Sequence, residues 1–75
     1  MTIKIMIVDD SSLYQQLVKN VLRSIEGVEI VGLAKTGREA LAKIPDLQPD
    51  LLTLDVQMPD MNGLELLKEI RRRRM

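Results

Sequence analysis

Three short apolar runs alternate with three segments of helical spacing along this sequence. The runs are Ile3–Val8, Val28–Leu33 and Leu51–Leu54, and they are rich in β-branched and leucine residues. Runs of this length and composition are typical of strands in a parallel sheet that is buried on both faces. We therefore predict three buried strands, each followed by a helix.

Each helical segment opens on a pattern typical of a capping box, in which a Ser, Thr or Asn precedes a Gln or Glu by three residues. The three pairs are Ser12 with Gln15, Thr36 with Glu39, and Asn62 with Glu65. The residues predicted to face the core are Leu13, Leu17, Val21 and Ile25 in the first helix, Ala40, Leu41 and Ile44 in the second, and Leu64, Leu67 and Ile70 in the third. Gly27 is predicted to stop the first helix, and Pro45 and Pro49 to bracket the loop after the second.

The resulting order, βαβαβα, predicts an α/β fold. Strands that alternate with helices of this length are joined by right-handed crossovers, which place helices on both faces of a parallel sheet. No repeat, linker or low-complexity stretch interrupts the order. We expect one domain.

Three acids stand at the carboxyl ends of the first and third strands, namely Asp9, Asp10 and Asp55. If the first strand lies between the other two, the first and third strands are about 4.8 Å apart and their terminal carboxylates converge. Like charges this close repel unless a cation lies between them, and Mg²⁺ is a cation that prefers oxygen ligands. The pattern predicts a magnesium site.

The residues around these acids carry a resemblance to a known family. Residues 8–12 read VDDSS and residues 54–64 read LDVQMPDMNGL. Together they resemble bacterial response-regulator receivers, and they look most like the receiver that is attached to the chemotaxis methylesterase. The resemblance implies a truncated flavodoxin-like (receiver) fold with strand order 2-1-3, in which residues 1–75 form a partial receiver domain that lacks the fourth and fifth βα units.

The resemblance also implies roles for individual residues. Asp55 is expected to accept a phosphoryl group from the phosphohistidine of a sensor histidine kinase. Asp10, Asp55 and the backbone carbonyl of Gln57 are expected to surround Mg²⁺, with Asp9 acting through water. The Gln57 side chain is expected to tune attack of water on the phosphorylated aspartate.

The sequence departs from the family in its second half. Receivers carry a Ser or Thr at the end of a fourth strand and a Lys at the end of a fifth, and this chain has neither. The absent Lys predicts phosphorylation about a hundredfold slower than in a complete receiver, because one charge contact is lost. Any enzymatic activity is expected to be limited to self-phosphorylation and autodephosphorylation, with no methylesterase domain in this chain. The shortened sequence is consistent with an excised fragment, an early-terminated reading frame or an engineered sequence.

Simpler interpretations compete with these roles. Asp9 and Asp10 could serve as helix-capping acids, and Asp55 as a strand-end turn residue. The run Arg71–Arg74 favours a solvated helix end over a nucleic-acid patch. A nucleotide-binding flavodoxin relative is disfavoured, because no Gly-rich loop follows the first strand. The alternative function is a signalling-incompetent structural or dimerisation module.

The amino-acid composition of the chain limits the classes of partner that we expect. The 75 residues include no Cys, and 11 basic residues balance 11 acidic ones, so neither nucleic acid nor membrane is predicted as a partner. The longest apolar run is too short for a signal sequence or a membrane span, which favours a cytoplasmic protein. In the family's strand order the third strand becomes an exposed edge, and such an edge predicts a homodimer that pairs through Leu51–Leu54.

Overall fold

The structure, a computed structural model, describes residues 2–55 and 58–74 of the chain. Its six elements are β1 (Ile3–Val8), α1 (Ser12–Arg23), β2 (Val28–Ala34), α2 (Gly37–Leu47), β3 (Leu51–Leu54) and α3 (Gly63–Arg72). The predicted order of strands and helices is confirmed. Within the described ranges, no helix has the length and apolar character that crossing a membrane requires.

The three strands form one parallel sheet in the order β2-β1-β3. β1 pairs with β3 in an unbroken register that runs from Ile5 opposite Leu51 to Val8 opposite Leu54. The pairing of β1 with β2 shifts by one residue between Ile5 and Met6. The predicted strand order is confirmed, and it brings the carboxyl ends of β1 and β3 to the same edge of the sheet.

The main core lies between one face of the sheet and helices α2 and α3. Met6 and Val8 are fully buried there, and their β3 partners Leu52 and Leu54 pack against the same cluster. The helices contribute Ala40, Leu41, Ile44, Leu66 and Ile70. Because side chains alternate along a strand, the buried Ile5 and Ile7 point to the opposite face, which α1 covers.

β3 was predicted to be buried, and this is wrong in part. Leu51 is exposed and the other three residues of the strand are half-buried. The reason is its position, because β3 has a neighbouring strand on one side only.

Helix α1 differs from its prediction in both its cap and its buried face. Ser11, and not Ser12, is the N-cap, and its Oγ accepts a hydrogen bond from the Tyr14 N–H at 3.3 Å. The predicted inward residues are exposed, with 68% of Leu13 and 64% of Val21 accessible. The face turned to the sheet carries Gln15, Val18 and Leu22 instead. A helix with apolar residues on two faces does not reveal from spacing alone which face is buried.

Helix α2 continues past the proline that was predicted to end it. Pro45 lies in the last turn, where the missing N–H removes a single bond of the helix. The helix ends at Leu47, and Gln48 closes it in the left-handed region with φ of 46° while its N–H donates to the Ile44 carbonyl at 2.8 Å. The predicted core residues of α2 are confirmed, since Ala40, Leu41 and Ile44 are all buried.

Helix α3 has the complete capping box that the sequence predicts. The Glu65 N–H donates to the Asn62 side chain at 2.8 Å, and the Asn62 N–H donates to the Glu65 carboxylate at 3.0 Å. Its buried face was predicted only in part. Ile70 is buried as expected, but Leu66 takes the place of the exposed Leu64 and Leu67.

Two of the four arginines at the end of α3 form ion pairs with an acid of the same helix. Arg72 and Arg73 both form ion pairs with Glu69. Hydrogen bonds from Arg72 and then Arg73 lower the pKa of Glu69 to about 2. Part of the positive charge of the predicted solvated helix end is thereby neutralised.

The N-terminus of α2 is capped from within and from a distant loop. Thr36 Oγ1 accepts from the Glu39 N–H at 3.0 Å, as its sequence pattern predicts, while the Glu39 carboxylate pairs with Lys43. Asp60, in the loop after β3, accepts from the N–H groups of Gly37 and Arg38, each at 2.9 Å. These bonds, that from Gly37 foremost, lower the pKa of Asp60. Asp60 therefore ties the loop that follows β3 to the start of α2.

We expect Asp60→Ala to lower the free energy of unfolding by about 1 kcal/mol, because two helix N–H groups lose a charged acceptor. For a domain of this size that corresponds to a fall of about 4–8 °C in the melting temperature. The depressed pKa gives the sign of the pH dependence. The stabilisation is fully present above the ordinary carboxyl pKa of 3.8 and is lost as the pH falls through the lowered value. Urea unfolding at pH 7 and pH 3 checks this, since equal losses at both pH values would contradict it.

The two outer edges of the sheet differ. The Asp9 N–H donates to the Ala34 carbonyl, so the Ala34 backbone faces β1 and the Leu33 backbone faces outward. Lys43 covers that outward carbonyl, with its Nζ donating to Leu33 O at 2.7 Å. On the other edge the Asp55 N–H donates to the Val8 carbonyl, so the alternating backbone groups of Leu52 and Leu54 face away from β1.

Candidate functional site

The structure brings the three predicted acids together. Asp9, Asp10 and Asp55 each offer a carboxylate oxygen, and these oxygens all lie within 4.8 Å of one another. Asp10 is exposed, and Asp9 and Asp55 are half-buried. We call these three residues the acid cluster.

Backbone hydrogen bonds between strand ends hold the acid cluster in place. The Asp9 N–H donates to the Ala34 carbonyl of β2 and the Asp55 N–H donates to the Val8 carbonyl of β1, both at 2.9 Å. The Asp9 side chain also accepts from the Ser11 N–H at 2.9 Å, which shapes the turn into α1. The cluster thus follows directly from the parallel order of the strands.

The side chain of Gln15, in helix α1, forms hydrogen bonds with the backbone at the ends of β1 and β2. Its side-chain nitrogen Nε2 donates to the Asp9 carbonyl at 2.9 Å and to the Ala34 carbonyl at 3.0 Å. The sequence pattern predicts only a capping role for Gln15, and that prediction is wrong because Ser11 is the cap. No local pattern in the sequence marks this role, because the two carbonyls that Gln15 contacts become neighbours only after β1 and β2 pair.

The acids perturb one another electrostatically. A hydrogen bond to the Asp55 carboxyl raises the pKa of Asp10, and desolvation and the negative charges of Asp55 and Asp9 raise it further. Two carboxyls can share a hydrogen bond only when one carries a proton. The cluster therefore binds a proton more tightly than an isolated aspartate does, and a cation can compete for that place.

We expect Asp10→Asn to raise the melting temperature of the protein at pH 7 in the absence of divalent cations. The raised pKa of Asp10 sets the sign, because its contribution to stability is fully present below 3.8 and is lost as the pH rises through the folded value. Replacing the Asp10 carboxyl with an amide removes this loss of stability at pH 7. Thermal unfolding in EDTA at pH 7 measures the effect, with Asp46→Asn on α2 as the control, and a variant less stable than the unaltered chain would contradict it.

The acid cluster suits a hard divalent cation. Two oxygens on opposite sides of one Mg²⁺ lie about 4.2 Å apart, close to the span of the cluster. Carboxylate oxygens are the ligands this ion prefers, and a cation relieves the repulsion that raises the pKa of Asp10. Asp9, Asp10 and Asp55 are the residues that could hold it.

Gln57, predicted as a backbone ligand and as a residue that tunes hydrolysis, lies outside the described residues. The neighbouring Met58 and Met61 are half-buried and pack against the core between the sheet and α2 and α3. They therefore anchor the loop on both sides of Asp60.

Comparison with known proteins agrees with this geometry. Residues 5–75 match the family described as the response regulator receiver domain. The chain belongs to this family. The receiver identity predicted from residues 8–12 and 54–64 is thereby confirmed.

Individual relatives point to one branch of the family. Over 68 residues the chain is 50% identical to a protein-glutamate methylesterase/protein-glutamine glutaminase of Trichodesmium erythraeum, an alignment that covers 91% of this chain and 19% of that protein. The response regulator domain of Thermotoga maritima CheB is 39% identical with a TM-score of 0.91, over 96% of this chain and 54% of that one. The chain therefore spans about a fifth of the length of the curated relatives.

A further solved structure is a CheX-CheY-BeF3-Mg²⁺ complex from Borrelia burgdorferi. The match has 33% identity and a TM-score of 0.83, and it covers 93% of this chain and 53% of that one. The chain thus shares the receiver fold with a structure whose description includes a metal ion.

Proposed function

We propose that this chain is a phosphoacceptor module of a two-component system of the chemotaxis type, in which Asp55 accepts a phosphoryl group from a histidine kinase with Mg²⁺ as cofactor. The observation that supports this most is the acid cluster at adjoining strand ends, in a chain of the receiver family. The chain supplies the first three βα units of such a domain. The predicted cytoplasmic location belongs to the same proposal.

The proposed chemistry needs little beyond a nucleophile and charge neutralisation. A carboxylate oxygen of Asp55 forms a bond to phosphorus while the bond from phosphorus to the histidine nitrogen breaks, and the bonding electrons leave with the imidazole. Positioning and electrostatic stabilisation account for most of the catalysis of phosphoryl transfer. Mg²⁺, when bound, supplies positive charge for the phosphoryl oxygens.

The roles of the residues follow the family. Asp10 and Asp55 would ligate Mg²⁺ directly, and Asp9 would act through water. The proposed contributions of Gln57 are its backbone carbonyl as a further ligand and its side chain as the group that orients or blocks a hydrolytic water. The description of the CheX-CheY complex with BeF3 and Mg²⁺ supports the ion for this chain.

Phosphorylation by acetyl phosphate tests the proposal directly. We expect intact-mass spectrometry to show a singly phosphorylated species with Mg²⁺ and none with EDTA. The bond should be labile to hydroxylamine, as an acyl phosphate is. A chain that stays unmodified at high acetyl phosphate and Mg²⁺ would exclude the phosphoacceptor function.

A second candidate function is a dimerisation module, and the unpartnered surfaces favour it. Leu13, Leu17 and Val21 form an exposed apolar face on α1, and Leu51 is exposed at the start of the edge strand β3. A second copy of the chain could cover both. A dimer that forms without any phosphorylation would support this alternative.

A further inference from the structure

Gln15 is the one buried polar side chain among the described residues, with 6% of its surface accessible. Its Nε2 reaches the carbonyls of Asp9 and Ala34, at the ends of the two strands β1 and β2. We propose that Gln15 is a positioning residue that sets the geometry of the acid cluster for Mg²⁺. This inference rests on the proposed function, because it concerns the same site.

The first step of the argument is the planarity of the peptide bond. The Asp9 carbonyl that Gln15 holds lies in the same rigid plane as the backbone nitrogen of Asp10. Fixing that carbonyl therefore fixes the peptide plane that also holds the Asp10 Cα, so that on the backbone only the rotation φ about the Asp10 N–Cα bond is left to orient its side chain. Gln15 thus acts on Asp10 without contacting its carboxylate.

The second step is that the backbone of Asp9 is held on both sides. Its N–H donates to Ala34 O at 2.9 Å, the same carbonyl that accepts from Gln15. One amide group therefore links the carboxyl ends of β1 and β2 to helix α1. Asp9 and Asp10 lie on the turn after β1, and the orientation of that turn depends on this link.

The third step concerns the choice of side chain. The site requires two N–H donors and no negative charge, and an amide nitrogen provides both. A carboxylate in its place would face two carbonyl oxygens close to three further acids. An apolar side chain of the same length would fill the space but donate nothing to Asp9 O.

Gln15→Met tests the proposal, because methionine has a similar length and no donor. We expect the dissociation constant for Mg²⁺ to rise about 10- to 100-fold, as is typical when a group that supports metal ligands is removed. Gln16→Met is the matched control, since Gln16 is exposed one residue further along α1 and its amide bonds Asn20 on the solvent side. The affinity of the Gln16→Met variant for Mg²⁺ should equal that of the unaltered chain.

The readout is the shift of the Asp10 and Asp55 backbone amide resonances of the folded protein during MgCl₂ titration. A merely structural role would lower stability but leave the affinity of the folded molecules unchanged, and that outcome would overturn the proposal. If the unaltered chain shows no Mg²⁺ binding, the proposed magnesium site itself fails. Binding by the unaltered chain with equal binding by Gln15→Met removes only the role of Gln15.

If Gln15→Met does not fold, Mg²⁺ titration of the unaltered chain still tests the proposed role of Gln15. The Gln15 Nε2 resonances of the unaltered chain should move with the same Mg²⁺ midpoint as the Asp10 amide, because Nε2 donates to the Asp9 carbonyl that precedes Asp10. Resonances of Nε2 that stay fixed while Asp10 shifts would contradict the inference.

Discussion

Asp55→Asn should abolish incorporation of phosphate from acetyl phosphate, whatever the donor concentration. The amide that replaces the carboxylate has no oxygen nucleophile able to form an acyl phosphate. Binding of Mg²⁺ should weaken in the same variant, because the acid cluster loses one of its three charges. Intact-mass spectrometry measures the first effect and titration of backbone amide resonances the second.

Asp46→Asn provides the control for this experiment. Asp46 is an exposed acid near the end of α2, so its loss changes the net charge equally without touching the acid cluster. Its phosphorylation should match that of the unaltered chain. Phosphate that still enters Asp55→Asn would place the acceptor at another residue and refute the assignment.

Leu52→Pro should raise the dissociation constant of the predicted homodimer by about 5- to 160-fold. The outward N–H of Leu52 is one of the donors that a second copy would use, and proline removes it. Leaving a hydrogen-bonding group unpaired costs about 1–3 kcal/mol, which is about a 5- to 160-fold change in affinity. The bonds between β3 and β1 should survive, because they use the groups of the alternate residues.

Leu52→Ala separates pairing from packing in this test. Both variants lose the leucine side chain that packs against the core, but alanine keeps the backbone N–H. Sedimentation at several protein concentrations should show a dimer for the unaltered chain and for Leu52→Ala, and a larger monomer fraction for Leu52→Pro. A folded monomer of the unaltered chain, with unfolding independent of concentration, would refute association through β3.

Local signals were sufficient for the alternating order of strands and helices because they agreed with one another there, while the strand order 2-1-3 came from the family resemblance. The apolar runs, the caps at Thr36 and Asn62 and the acids at strand ends all predict the same alternating order. The acid cluster could be anticipated for the same reason. Once the strand order is known, the chain has no other place for Asp9 and Asp55 than neighbouring strand ends.

The spacing of apolar residues gave wrong predictions where two local structures were equally compatible with the sequence. Helix α1 has apolar residues on more than one face, and only the sheet decides that Val18 and Leu22 turn inward while Leu17 is exposed. Pro45 is a strong stop signal, but in the last turn it removes only one hydrogen bond and the helix tolerates it.

Long-range contacts were beyond any pattern in the chain. Asp60 and Gly37 are 23 residues apart, and nothing local to Asp60 distinguishes an acid that caps a remote helix from one in an ordinary loop. Gln15 was similar, because its partners on β1 and β2 become neighbours only after the strands pair. Such residues are identified by their hydrogen bonds in the folded chain.

The lysine on the outer edge of β2 bears on how far an assembly of this protein could grow. A sheet with two open edges could add copies one after another, since each addition would leave a new edge, and the product would be a filament. Lys43 already occupies the outward carbonyl of Leu33, so an arriving strand would have to displace a bound ammonium group there. If two copies associate through β3, each β3 edge is paired with the other. Only the β2 edges covered by Lys43 are then left, so the assembly stops at a dimer.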